Sequence, residues 1–325
     1  MPSFMKKHKQ IKRNHHYVWS FYLKSWATDN NIFYISKKGK IACDSVKGLA
    51  RETDFYKISK LNHMDIEFIK KISASSPQFL QEIHMSHLDD FIKLSNVSSF
   101  ISRVKHVPEE ILSVQKAIEH NSLENLHSFI EDTAVEVISN LAQGNSECLM
   151  SKDNMIAFCS YVGHQMSRTK SFKEKSMRAI KSNPDIGVEY KELLELLEKN
   201  WWFLSFMFGI SIGCSLYESK DRDNHIFITN DTGHPFLTSD NPIINVHSSL
   251  ASIKERQAPE SADFYIPLSP KYAYMINKSE DYNHLAYSIG LEDVKIFNEK
   301  IVDKSYRTVF GSSEAALKTH NKRVN

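Results

Sequence analysis

Hydrophobic residues recur along this chain with two different periods, and the change from one to the other divides it. Near the start, Val18, Phe21, Tyr22, Leu23 and Trp26 fall on one side of a 3.6-residue repeat and predict a helix over about Tyr17 to Ala27. NIFYIS (31–36) and KIACDS (40–45) are short β-type runs; the KKGK between them supplies a turn at Gly39, so the pair predicts a hairpin. From about residue 64 to 217 the period is helical. SLENLHSFIEDTAVEVISNLAQ and MIAFCSYVGHQMSRTKSFKEKSMRAIK carry it, and Pro77, Pro108 and Asn183-Pro184 are the main breakers. After about residue 224 the runs shorten. HIFITN, PFLTS, PIINV, DFYIPLS and KYAYMIN are β-branched or aromatic and bounded by Asn, Asp, Gly or Pro. A helix near 291–303 and a strand-like YRTVFG close the chain.

The predicted fold class is therefore α+β: a predominantly helical middle with a small antiparallel sheet built from the N- and C-terminal parts. Residues 1–13 read as a basic arm. Residues 14–325 read as a single domain, with its helical middle at about 64–217 and its β-rich part at about 224–310.

Composition changes this picture little. With 41% hydrophobic and 25% charged residues the chain is of soluble globular type, long enough at 325 residues to bury a sizeable core. WWFLSFMFGISIGCSLY (201–217) is uncharged, but it falls short of the roughly 20 apolar residues a span takes and contains Ser and Gly, so it reads as a buried helix. Cys43, Cys148, Cys159 and Cys214 form no CxxC pair, which argues against a zinc ribbon or disulfide framework and fits a reducing cytoplasm. No apolar run of signal-peptide type follows the basic start, so a cytoplasmic location without membrane contact is expected. A net charge of +2 gives no whole-molecule field for nucleic acid, although Lys6, Lys7, Lys9, Lys12 and Arg13 precede any acid.

Polar residues in apolar surroundings mark three candidate segments. His15 and His16 sit where the first predicted helix begins, a place suited to an anion or a neutral imidazole. Adjacent side chains diverge, so one histidine would face a site and the other cap the helix or face solvent. In GHPFLTSDNPIINV (233–246), Asp240 and Asn241 serve equally as turn formers or as groups that a strand end presents to a cleft. In HQMSRTKSFKEK (164–175), His164, Gln165 and Arg168 share a helix face beside an apolar stripe; if buried they must find partners, and Arg suits a fork on phosphate or carboxylate. The following Lys170, Lys173, Lys175, Arg178 and Lys181 read as a solvated face. GxxxxGK[ST], HExxH, GxSxG and GxGxxG are all missing, which weighs against P-loop hydrolysis and zinc proteolysis.

The same three segments carry a family resemblance. The chain resembles a bacterial family of unknown function, DUF4238, whose members open with a pattern close to HYVPxFYLRxF, answered here by His16 to Trp26. The family's Gln-x-x-Arg-Thr helix motif is matched by Gln165, Arg168 and Thr169, its T-S-D-N-P turn by Thr238 to Pro242, its xPLSP by Pro267 to Pro270, and a late Asn by Asn298. Trp19 stands where the family usually has Pro. The resemblance implies a shared polar site containing His16, Gln165, Arg168, Asp240 and Asn241.

On that basis the sequence reading expects a phosphodiesterase, most simply a nuclease acting on RNA or DNA and serving as a toxin or antiphage effector. His16 would be general acid or base, Arg168 the phosphate clamp, and Asp240 an orienter of His16 or a ligand for Mg²⁺ or Mn²⁺. Gln165, Asn241, Tyr17 and Lys12 would bind substrate, with the basic arm along the backbone. The alternative is a non-catalytic module that uses the same pocket for a nucleotide or a partner, whether another protein or a second copy. A third reading is a buried polar network that specifies the fold.

Overall fold

A computed structural model describes residues 10–181, 190–251 and 261–320. Lys6, Lys7 and Lys9 of the basic arm, and the Asn183-Pro184 breaker, lie outside the described residues.

The opening segment departs from its expected helix. Asn14–His16 is a strand, β1, paired antiparallel with β4, Arg51–Thr53. Helix α1 covers only Ser20–Leu23 and runs into a 3-10 turn at Lys24–Trp26. The carbonyls that an earlier helix would use are already taken: that of His16 by the Arg168 guanidinium, that of Tyr17 by the Gln165 amide at 3.0 Å. Trp19 explains its own tolerance. Its φ of −58° is one that proline would hold, and the N–H that proline lacks finds Gln165 Oε1 at 3.2 Å.

The predicted hairpin is present as β2, Asn31–Ile35, and β3, Ile41–Ser45, with Gly39 at φ +71° in its turn. Among the described residues seven α-helices follow: α2 (His63–Ser73), α3 (Gln78–Ile101), α4 (Glu109–Ala142), α5 (Lys152–Ser167), α6 (Lys170–Lys181), α7 (Tyr190–Lys199) and α8 (Trp201–Ser219). Pro77 and Pro108 stand directly before α3 and α4. Helix α8 is the uncharged 201–217 run, buried from Trp201 to Met207. Among the described residues no helix is long and apolar enough to cross a membrane. Helices α5 and α8 cross with their backbones almost touching. A Cβ added at Gly163 would lie 2.4 Å from the Gly209 carbonyl oxygen.

The C-terminal part contributes β5 (Asn224–Thr229), β6 (Thr238–Ser239), β7 (Ile244–Asn245), β8 (Asp263–Pro267), β9 (Tyr272–Asn277), helix α9 (Leu291–Lys304), β10 (Val309–Gly311) and α10 (Glu314–Lys318). The fold is α+β with a helical middle, as the pattern predicted, and N- and C-terminal strands do share a sheet, in the order β3-β2-β10-β6. A second antiparallel sheet, β5-β9-β8-β7, stands beside it. PFLTS and PIINV therefore belong to different sheets. The chain crosses between them at Ser239-Asp240-Asn241-Pro242, where the Asp240 carboxylate accepts the backbone N–H groups of Tyr306 and Arg307 at 2.8 Å and of Thr308 at 3.1 Å.

Candidate functional site

The three marked segments do meet, and they meet mainly by holding one another's backbones. Gln165, 1% exposed, spans residues 17 to 19 with both ends of its amide. Arg168, 3% exposed, gives one guanidinium nitrogen to the Glu131 carboxylate and another to the His16 carbonyl oxygen. Burial works against the Arg168 charge, but Glu131, Tyr56 and Glu124 more than offset it and raise its pKa. Its fork grips a carboxylate of the protein itself, so the phosphate-clamp position is filled from within.

The two histidines divide as adjacent residues in a strand must, one to each face. His15 is the fully buried one. Its Nδ1 accepts the Tyr56 N–H at 2.8 Å, which leaves Nε2 to donate to the Lys12 carbonyl, also at 2.8 Å. His16 is half-buried with Nε2 3.3 Å from the Lys47 carbonyl. Burial lowers its pKa, and Arg168 and Arg51 push further in that direction against the Lys47 hydrogen bond. A neutral imidazole results. Lys12 lies against α4, its N–H on Asn121 Oδ1 at 2.8 Å and its ammonium on Asn125 Oδ1 at 2.9 Å.

Asp240 joins this group only at a distance. Both of its oxygens are occupied by the three backbone N–H groups, so it neither orients His16 nor leaves an open pair of ligands for Mg²⁺ or Mn²⁺. Burial pushes its pKa up to about 6, opposed by those hydrogen bonds and by Lys170. Tyr17, which follows His16 in the chain, has its hydroxyl held neutral by burial and by the charges of Asp240 and Glu52. The Lys170 ammonium lies 4.9 Å from the centre of the Tyr17 ring and pairs with Glu52. Asn241 gives its amide N–H to the Lys304 carbonyl at 2.9 Å.

The remaining family positions interlock in the same manner. Tyr22 Oη lies 2.7 Å from Thr238 Oγ1 and donates to the Pro267 carbonyl at 2.7 Å, so one residue of the opening motif touches both the T-S-D-N-P and PLSP segments. Trp26 Nε1 donates to the Phe236 carbonyl at 2.8 Å. Asn298 accepts the Leu237 N–H at 2.8 Å and donates to the Pro235 carbonyl at 3.0 Å. Each bond satisfies a buried backbone or hydroxyl group that would otherwise destabilise the closed fold.

Sequence reasoning passed over Glu124, His127 and Glu131. They lie at i, i+3 and i+7 on one face of α4, a stripe readable as titratable residues within an apolar period. Glu131 carries the ion pair to Arg168, while Glu124 Oε2, both His127 ring nitrogens and Arg168 Nε are buried without a hydrogen-bond partner among the described residues. Burial pushes the Glu124 carboxyl up to about 7, Arg168 pulls it down and Glu131 pushes it up again. Among the described residues no three His, Cys, Asp or Glu side chains are placed to hold a metal ion.

The open space near these motifs lies to one side. A cleft of about 440 Å³ is walled by Met166, Ser171, Phe172, Lys175 and Ser176 at the end of α5 and along α6, by Asn241, Ile243, Ile244 and Asn245, and by Leu250, Ala262, Phe264 and Lys304. Two ammonium groups thus share one concavity, and none of the described residues lining it is an Asp or Glu. Neither lysine has a salt-bridge partner among the described residues. Burial lowers both pKa values; Lys304 and Arg178 add to the effect at Lys175, and Lys300 adds to it at Lys304, opposed by Asp303. Lys175 keeps much of its surface in water, and among the described residues that line the cleft neither lysine has a counter-charge.

The fold and the interlocked motifs together define a family. The pattern of DUF4238, proteins of unknown function, matches residues 14–315, and the chain belongs to that family. No curated protein and no solved structure matches the chain.

Proposed function

We propose that the protein recognises a phosphate-bearing ligand in the cleft between α6, the 241–245 segment and the end of α9. The observation that carries this reading is the couple Lys175 and Lys304, which have no salt-bridge partner among the described residues and line one concave surface that holds no acid among its described residues. An anion seated there would relieve the repulsion between the two ammonium groups and supply the charge both lack. Asn241, one of the family's marker residues, is in the same wall. Isothermal titration with inorganic pyrophosphate tests the reading. Binding that weakens with salt and is lost in Lys304→Gln and Lys175→Gln supports it; heats unchanged by both substitutions refute it.

A catalytic reading, in which the protein cleaves phosphodiesters in RNA or DNA, draws support from a different observation. Glu124 titrates at about 7 directly beneath the opening strand, within the range in which a carboxyl can serve as general acid or base. Labelled RNA, single-stranded DNA and duplex DNA, each with and without Mg²⁺ or Mn²⁺, test this reading against a Glu124→Gln control of matched thermal stability. Cleavage equal in wild type and control would remove Glu124 from it.

A further inference from the structure

Two side chains in the cleft wall are more than nine-tenths buried yet keep a polar atom open. Asn241, 7% exposed, uses its amide N–H on the Lys304 carbonyl, and its Oδ1 has no partner among the described residues. Ser171, 6% exposed, likewise has a hydroxyl with no partner among the described residues. Neither atom is among the sealed, unsatisfied groups of the interior, and both residues line the cleft. Asn245, which lines the same cleft, has its oxygen committed to the His247 N–H and the Asp263 N–H, each at 3.0 Å, which leaves its amide N–H groups as donors. The lining of one cleft therefore includes both an amide acceptor and an amide donor. Phe172 and Phe264 line the same cavity, each half-buried with part of its ring exposed.

We propose that this cleft takes a single nucleotide: phosphate between Lys175 and Lys304, base against Phe264 or Phe172, and a base edge read by Asn241 and Asn245. The inference rests on the phosphate reading above and narrows it. A cleft of about 440 Å³ has room for one nucleotide and not for a run of several. Aromatic faces accept any base, and an amide acceptor and an amide donor lining one cleft suit the donor and acceptor groups that base edges present. Inorganic phosphate or a sugar phosphate would use the lysines and leave the rings and both asparagines idle.

The full chain is titrated with pyrophosphate, ribose 5-phosphate, the four nucleoside monophosphates and a twelve-residue oligonucleotide. At least one monophosphate is expected to bind about 5- to 150-fold more tightly than ribose 5-phosphate, the range that base stacking supplies. Phe264→Leu should shrink that ratio with little effect on pyrophosphate, and Asn241→Leu should shrink it too by removing the acceptor that reads the base edge. Equal affinity for ribose 5-phosphate and every monophosphate would overturn the nucleotide assignment while leaving phosphate recognition intact. Tight binding of the oligonucleotide alone would overturn it in favour of a strand. Absence of all binding, pyrophosphate included, would overturn both.

Discussion

Replacing Arg168 with methionine separates a phosphate clamp from a buried strut. The substitution keeps the length of the stem and its packing but removes the guanidinium. Glu131, whose side chain is 12% exposed, then loses its counter-charge, and the His16 carbonyl loses a donor. Breaking a buried ion pair by deleting one partner costs about 3–5 kcal/mol, and an orphaned carbonyl adds about 1–3 kcal/mol. The Glu131 share is limited because the carboxyl can take up a proton, so a total of about 4 kcal/mol is expected near pH 7. At about 2.1 cal/mol/K per residue the unfolding entropy of 325 residues is about 0.7 kcal/mol/K, and the loss becomes a fall in Tm of about 6 °C. Calorimetry of Arg168→Met, alone and combined with Glu131→Gln, supplies the measurement. The double variant should regain part of the loss, since it no longer buries an unpaired charge, and the single variant should be less impaired at pH 5 than at pH 7. A single variant within about 1 kcal/mol of wild type, or a double variant no better than the single, would refute the strut. Unchanged stability together with lost phosphate binding would restore the clamp expected from the sequence.

Further expectations rest on the same contacts. Glu124 has a folded pKa of about 7 against an ordinary 4.5, so the folded state retains a proton that the unfolded state releases. Its contribution is fully present below about pH 4.5 and is lost as pH rises through about 7, a span worth on the order of 3 kcal/mol. Urea midpoints measured from pH 5 to 8 should fall in the wild type and fall less in Glu124→Gln; parallel profiles would exclude Glu124 as the cause. Asp240→Asn places an amide against backbone N–H groups and should cost about 2–4 kcal/mol in urea melts; a variant as stable as wild type would contradict the three-donor geometry. Gly163→Ala brings a methyl group onto the backbone of α8, and a loss of about 3 kcal/mol or failure to fold is expected, whereas an unperturbed melt would show that the helices can part.

The pattern of hydrophobic positions determined a good deal by itself. Periods of 3.6 and 2 place the helical middle and the β-rich end, Gly39 marks the hairpin, and Pro77 and Pro108 mark two helix starts, because each of these is decided within a few residues of chain. It also determined that Gln165 and Arg168, set beside an apolar stripe, must find partners. Which partners they find was beyond it. Periodicity states that a face is buried and not what covers it, so nothing local says that Arg168 meets Glu131 and the His16 carbonyl, or that the helix expected from Tyr17 starts only at Ser20. The same limit explains the lysines. Along α6, Lys175 is one of a row of solvated cations; in space it stands across a cleft from Lys304, the last residue of α9. Charges interact through distance and not through sequence, and only the tertiary structure brings those two lysines to one cleft.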